Sequence, residues 1–429
     1  MKGPRYVVVP VEVYPNKVYK ELFRNNFMKA TRAWKFRLYP SKEQRKAMQA
    51  HLWLSKNLWN DGLELAKQIY GDYGKFPTRQ TYQEISKNSG VFSQVAQDVF
   101  IRLDLALKAK IRRKKAGLKG GFPRFKSIER VKSLHYPQAG FKLMLNKKLK
   151  VSPFGLINIR LHRSVEGKIK TLTLKRESTG KWYAILTSET ETWAVPKNNG
   201  SQIGIDLGLK SFATLSDGTT IRNPRHLRKY EDRLAFIQRQ KDLKKKGSKN
   251  RNKTRRKVAI LYEKVKNTRR DFLHKLSHKL VHSHSLIALE DLSSQEMAER
   301  QFGKSINDAG WGEFISMISY KAESAGSRFV LVNPENTTKE CSRCGVLTKK
   351  ELDERQHDCP SCGLSMDRDL NAAINILIRA IANSQERVRQ SESTNDSATG
   401  GTPGSNASGD GAIVPSLKEE KEAHAFKHG

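Results

Sequence analysis

Outside one stretch of 22 residues this chain of 429 has no cysteine at all, which excludes a disulfide framework and points to a reducing compartment. It has no run of 18 or more apolar residues, so no helical membrane span is expected. No cleavable signal sequence is recognisable, because Pro10 and Glu12 interrupt the mildly apolar segment 7–13. Acidic residues are scarce: 43 against 80 Lys and Arg, for a formal charge of +37. Like charge at that density opposes a compact fold unless a polyanion offsets it. A nucleic-acid backbone does so well, since each neutralised phosphate releases condensed counterions. A membrane surface fits less well, because the basic segments lack a wide apolar face. A location in the cytoplasm, associated with the nucleoid, follows as an expectation.

The apolar residues, 37% of the chain, fall into segments of different period. Residues 32–39 read as a strand closed by Pro40. Ser41 with Glu43 and Gln44 marks a helix start, followed by an apolar face at Leu52, Leu54, Leu58, Trp59, Leu63 and Leu65, with some spillover. Further helices are expected over 79–87 and 91–115, the latter ending in the basic group Arg112, Arg113, Lys114 and Lys115 before Gly117. Between 120 and 194 short alternating runs separated by Gly, Pro, Asn and Ser indicate an antiparallel sheet, a small barrel that the 32–39 strand completes.

A new domain opens at Gln202. The run 203–208 leads through 212–215 into an Asp217-Gly218 hairpin turn. A long helical excursion spans 225–285, and within 241–270 there are 14 Lys and Arg against 2 acidic residues. A solvated helix normally mixes signs, so this run is expected to lie on a polyanion, with Lys244, Lys245, Lys246, Arg255, Arg256 and Lys257 as candidate contacts beside Arg112 and Arg113. His274, His278 and His282 recur at helical spacing without the Glu of a HExxH site and read as packing or phosphate-facing residues. Strands are expected at 286–290 and 329–332, and helices at 311–325 and from Asp367-Arg368-Asp369 through Leu377. After Ser384 the chain turns rich in Ser, Gly, Thr and Asn, a composition unable to bury enough apolar area to stay ordered.

Two constellations carry chemistry. Cys341, Cys344, Cys359 and Cys362 form two CxxC pairs, each followed by glycine, and four thiolates make a closed tetrahedral shell for one structural zinc. Asp206 interrupts an apolar strand, Glu290 ends one, and Asp369 opens a helix whose amino terminus favours an anion. Carboxylates gathered from separate elements repel one another and persist where divalent cations share them. Two such ions suit phosphodiester hydrolysis.

With these pieces in order the sequence resembles the TnpB family, OrfB-type transposon-encoded RNA-guided DNA nucleases related to type V CRISPR effectors. The matching segments are Trp34-Lys35-Phe36-Arg37-Leu38-Tyr39-Pro40, Gly204-Ile205-Asp206-Leu207-Gly208, Leu289-Glu290-Asp291-Leu292, Asn336-Thr337-Thr338-Lys339-Glu340-Cys341-Ser342-Arg343-Cys344-Gly345 and Asp367-Arg368-Asp369-Leu370-Asn371-Ala372-Ala373-Ile374-Asn375-Ile376. The resemblance implies an α+β multidomain protein. A wedge β-barrel (30–40 and 120–198) would hold an inserted helical recognition domain (41–119). An α/β RNase H-like (RuvC-like) nuclease domain (199–335 and 364–383) would follow, with an inserted zinc ribbon (336–363). An N-terminal extension (1–29) and a disordered tail (384–429) would flank these. It implies that Asp206, Glu290 and Asp369 are catalytic and hold two magnesium or manganese ions, with Asp367 in support. It implies as partners a guide RNA from the element and double-stranded target DNA with a short flanking motif, a separate transposase acting on the same element. A non-cleaving RNA-guided repressor and a transposase accessory protein are the alternatives.

Overall fold

The computed structural model describes residues 27–144, 146–193, 195, 197–292, 303–349 and 354–395. Of the expected extension, 1–26 lie outside the described residues, and so does the tail from 396 onward. The chain divides into two units, 1–377 and 378–429.

The first strand, β1 (Phe27–Tyr39), begins earlier than its sequence pattern suggested. From Trp34 onward it alternates: Trp34, Phe36 and Leu38 are buried, while Lys35 and Tyr39 face outward. Three helices follow, α1 (Lys42–Tyr73), α2 (Arg79–Lys87) and α3 (Ser93–Lys115). Ser41 starts the first with a capping box: its hydroxyl accepts from the Gln44 N–H at 3.2 Å, and its own N–H donates to the Gln44 side chain at 2.9 Å. Six more strands complete a seven-stranded antiparallel sheet: β2 (Ser133–Tyr136), β3 (Phe141–Met144), β4 (Lys148–Val151), β5 (Gly155–Arg160), β6 (Lys168–Arg176) and β7 (Trp182–Trp193).

The strand order is β2-β6-β7-β1-β5-β4-β3. β1 therefore runs through the middle of the sheet, paired with β7 on one side and β5 on the other. The expected barrel is instead a nearly closed sheet. Its end strands β2 and β3 are consecutive in sequence but are not ladder neighbours; the Tyr136 hydroxyl of β2 donates at 2.9 Å to the carbonyl of Ser152, the residue after β4. One continuous core joins the sheet to the inserted helices, with Phe36, Leu134 and Leu186 meeting Leu52, Leu63, Leu103 and Leu107. Fully burying each such side chain contributes roughly 1.5–3 kcal/mol.

The second sheet has five strands in the order β10-β9-β8-β11-β12. They are β8 (Ser201–Leu207), β9 (Ser211–Leu215), β10 (Thr220–Arg222), β11 (His284–Glu290) and β12 (Arg328–Val332). β8, β11 and β12 are parallel, whereas β9 folds back antiparallel on β8. Between β10 and β11 run α4 (Glu231–Asp242) and the long α5 (Lys249–Ser283). Between β11 and β12 come α6 (Gly303–Ala309) and α7 (Trp311–Ala325). Side-chain alternation gives this sheet two faces. Ile203, Ile205, Ile287 and Leu289 pack with Leu273, Leu280, Phe314 and Ile318 of α5 and α7.

The opposite face carries Gly204 and Asp206, and it meets α8 (Arg368–Asn395) at close range. A Cβ on Gly204 would sit 2.1 Å from the Ala373 carbonyl oxygen, so only glycine lets the helix backbone lie on the strand. A short antiparallel hairpin, β13 (Gln356–Asp358) and β14 (Ser365–Asp367), leads directly into α8. It continues past residue 363, where the cysteine segment was expected to end. Helix α8 likewise runs past Ser384 to Asn395, so the polar composition that suggested disorder begins inside a helix. Among the described residues no helix is long and apolar enough to cross a membrane.

Candidate metal centres

The parallel register between β8 and β11 pairs Ile203 with Ile287, Gly204 with Ala288 and Ile205 with Leu289. Asp206 and Glu290 are the next residues on their strands, and both fall on the face covered by α8. Asp369 lies in the first turn of that helix. Three elements thus bring the three acids to one edge of the sheet. The charges feel one another: burial, then the carboxylates of Glu290 and Asp369, hold Asp206 well above the ordinary carboxylate range, with Arg368 opposing and Asp367 adding to the effect.

Each of the other two acids has cationic or hydroxyl company. Asp369 lies 3.6 Å from the Arg355 guanidinium and 3.5 Å from that of Arg368. Glu290, 9% exposed, accepts a hydrogen bond from the hydroxyl of buried Thr337. A buried carboxylate whose charge is opposed by two others is a donor set suited to a divalent cation. Asp367 has a different task. Its Oδ1 accepts from the backbone N–H groups of Asp369 at 2.9 Å and Leu370 at 3.1 Å, so it caps the start of α8.

Among the described residues, Cys341, Cys344, Cys359 and Cys362 form a group whose ligand atoms all lie within 4.8 Å of one another. Sulfur–sulfur separations are 3.6 Å for Cys341 to Cys362 and 3.5 Å for Cys344 to Cys359, close to the ~3.8 Å edge of a zinc tetrathiolate tetrahedron. The two pairs repeat one local structure. The N–H of Gly345 donates to the Cys341 carbonyl and that of Gly363 to the Cys359 carbonyl, at 2.9 and 3.0 Å. Both glycines have positive φ, 76° and 70°, which turns the chain back around the sulfurs. Backbone N–H groups of Cys362 and Ser361 hold the Cys359 thiol down at about 6. Despite the Leu364 N–H that favours its thiolate, Cys362 is pushed up to about 12 by desolvation and by the sulfurs of Cys344, Cys341 and Cys359. Four such thiols lose their protons together only when a cation neutralises them, and the cluster fits a structural zinc.

Between the two centres lies a set of residues whose roles were not legible in sequence. Asn371 and Asn375 are one turn apart on the buried side of α8. Asn371 accepts from the Ser342 N–H at 2.9 Å and donates to the Glu340 carbonyl at 2.7 Å. Asn375 donates to the carbonyls of Thr337 and Glu340 at 2.9 and 2.7 Å. The signal was two amides at i, i+4 on a stripe otherwise made of Ala372, Ala373 and Ile376.

Of the expected polyanion contacts, Lys244, Lys245 and Lys246 lie in the turn between α4 and α5, and Lys257 is exposed on α5. Arg112 and Arg113 are exposed at the end of α3. Arg255 pairs with Glu129 at 2.6 Å, and Arg256 donates to the Thr179 carbonyl at 3.0 Å, so part of the run fastens α5 to the first sheet. These two line a polar cleft with Arg45, Arg176 and Asn252, where burial and the Arg255 charge lower Arg176. The rings of His278 and His282 lie against each other with centroids 4.2 Å apart and planes tilted by 41°.

Comparison with known proteins covers most of the chain. Residues 185–301 match the OrfB family described as "Probable transposase", 28–75 that family's helix-turn-helix domain, and 311–376 the Cas12f1-like TNB domain. A Streptomyces pristinaespiralis protein named "Putative RNA-guided DNA endonuclease" is 32% identical over 367 residues, covering 82% of this chain and 90% of that one. "Putative RNA-guided DNA endonuclease InsQ" of Escherichia coli is 31% identical over 380 residues, covering 82% and 92%. The cryo-EM structure of the Cas12f1-sgRNA-target DNA complex aligns with a TM-score of 0.53 at 15% identity over 81% of this chain and 98% of that one, a likeness of fold.

Proposed function

Because this chain belongs to the TnpB family of OrfB-type proteins, we propose that it is an RNA-guided DNA endonuclease encoded by a transposable element, cutting target DNA at Asp206, Glu290 and Asp369. The observation that carries the reading is the convergence of these acids on one edge of the sheet, where burial and then the charges of Glu290 and Asp369 raise Asp206. The order β10-β9-β8-β11-β12, with only the first two strands antiparallel to their neighbours, supports an RNase H-like (RuvC-like) domain. The four-cysteine cluster between β12 and α8 supports a zinc ribbon inserted into that domain.

Magnesium or manganese held by the three carboxylates, as a pair of ions, would supply Lewis-acid chemistry for phosphodiester hydrolysis. The chain's own contribution is placement. The strand ends fix Asp206 and Glu290 side by side, and the Asp367 cap fixes the first turn that carries Asp369. Arg355 and Arg368 offset part of the charge at Asp369. The first sheet with its helices, the 243–248 turn and the arginine-lined cleft offer positive surface for a guide RNA and its duplex with target DNA. Recognition of that kind leaves sequence reading to base pairing, while protein contacts follow the backbone. A separate transposase would move the element.

The test is to purify the protein with its RNA, sequence that RNA, and offer plasmids carrying the matching target and randomised flanks. Magnesium-dependent breaks confined to matched targets beside one flanking motif are expected. Equal cutting of mismatched plasmid, or none of any, would contradict the reading.

A further inference from the structure

The bond between Thr337 and Glu290 links the two metal centres, and nothing in the acid set itself explains it. Thr337 stands four residues before Cys341, at the base of the cysteine segment, and is 2% exposed. Its hydroxyl faces two acceptors, the Glu290 carboxylate and the Pro334 carbonyl at 3.1 Å. A hydroxyl has one proton, and a carboxylate accepts more strongly than a neutral carbonyl, so an ionised Glu290 takes it. Thr337 is itself held from behind: its carbonyl accepts from the Asn375 side chain, which also binds Glu340, and Asn371 holds Glu340 and Ser342. A continuous chain of buried hydrogen bonds therefore runs from α8 through the root of the cysteine segment to the carboxylate at the end of β11.

We infer that Thr337 is a positioning residue which orients the Glu290 carboxylate for a divalent cation, and that Asn371 and Asn375 make the root of the cysteine segment part of that centre. The inference rests on reading Asp206, Glu290 and Asp369 as cation ligands. Glu290 is the last residue of its strand, and beyond Leu292 the chain leaves the described residues. Its backbone is fixed by the parallel ladder to Val332, but a glutamate side chain keeps three rotatable bonds, so its head is oriented only by what it touches. Groups of this kind, hydrogen-bonded to a ligand without touching the metal, are commonly worth 10–100-fold in metal affinity or activity. Valine matches threonine in shape and lacks the hydroxyl. Serine keeps the hydroxyl and lacks the methyl.

The experiment measures Mn²⁺ binding by electron paramagnetic resonance of the free ion, alongside cleavage, in purified RNA-loaded protein. Thr337→Val is expected to weaken Mn²⁺ binding about tenfold or more and to raise the magnesium needed for half-maximal cutting by a similar factor, with guide RNA affinity and zinc content unchanged. Thr337→Ser should return both to within about threefold of wild type, and Thr338→Val should leave both at wild-type level. In a Glu290→Gln background Thr337→Val should add little, because a residue that acts through Glu290 has nothing left to orient. If the valine protein does not purify, Thr337→Ala makes the same comparison without adding a methyl group. Wild-type Mn²⁺ affinity in a folded hydroxyl-less variant, or full additivity with Glu290→Gln, would overturn the inference. Wild-type protein that binds Mn²⁺ but cuts nothing would instead overturn the endonuclease reading, and the binding comparison would still judge Thr337.

Discussion

The thiolate cluster and the carboxylate cluster sit on either side of Thr337, yet they are built by opposite means. The thiolate ligands come from two turns within 22 residues, each turn repeating the other's hydrogen bonds and its left-handed glycine. The carboxylates come from β8, β11 and the start of α8, spread from position 206 to position 369, and only the sheet and the helix that lies on Gly204 bring them together. One centre is little more than its own two turns, a fold of the kind that a bound zinc would organise. The other is held by a sheet and a helix, with Thr337, Arg355 and Arg368 beside its charges. Within the thiolate cluster the shifts diverge, Cys359 held down at about 6 and Cys362 pushed up to about 12, whereas in the carboxylate cluster burial and like charge hold Asp206 up.

The largest expected break in this comparison is removal of one thiolate. Cys344→Ala or Cys362→Ala should abolish stoichiometric zinc and unfold the cysteine segment, since structural zinc contributes about 10 kcal/mol or more to small metal-organised folds. Metal analysis and hydrogen exchange over 339–366 would register it. The five-stranded sheet should keep its protection, and loss of protection in both regions would erase the distinction.

A smaller effect separates the centres by pH. The folded-state value of Asp206 lies above its ordinary 3.8, so the folded protein binds the extra proton between the two values. Stability of the metal-free protein therefore falls as pH rises through that window, and the penalty is complete above it. Asp206→Asn removes the penalty. The metal-free variant should melt above wild type at neutral pH, by ~2–4 °C for each kcal/mol relieved, with the difference disappearing below 3.8. Excess magnesium should raise the melting temperature of wild type only. A lower melting temperature for the Asn variant would mean that the carboxylates do not strain one another.

The smallest effect distinguishes neighbours. Asp367→Ala should cost about 1 kcal/mol through loss of the helix cap and leave cutting largely intact. Thermal melts and plasmid cleavage measure the two parts, and abolished cutting in a stably folded variant would move the catalytic assignment to Asp367.

Legibility in the sequence followed the same division. The cysteine spacing names its ligands and its metal without any fold, because both pairs are local. The helices over 79–87 and 311–325 were readable because their apolar positions and caps are local too. The acids could be singled out only as strand ends and a helix mouth; their shared face needed the parallel register of β8 with β11. Thr337, Asn371 and Asn375 escaped notice because their partners are backbone carbonyls and a carboxylate distant in sequence, which no periodicity encodes. The central position of β1 in its sheet was hidden for the same reason: its partners β5 and β7 lie beyond three intervening helices.

The central claim is that Asp206, Glu290 and Asp369 act together on the phosphodiester and not on RNA binding. Its most direct test is plasmid cleavage by guide-loaded Asp206→Ala, Glu290→Ala and Asp369→Ala, with guide RNA affinity measured in the same preparations. Each variant should bind RNA within about twofold of wild type and cut the matched target at background level, because bound metals act chiefly on the transition state. Full cutting by any one of the three would remove that residue from the site, and full cutting by all three single variants would contradict the mechanism.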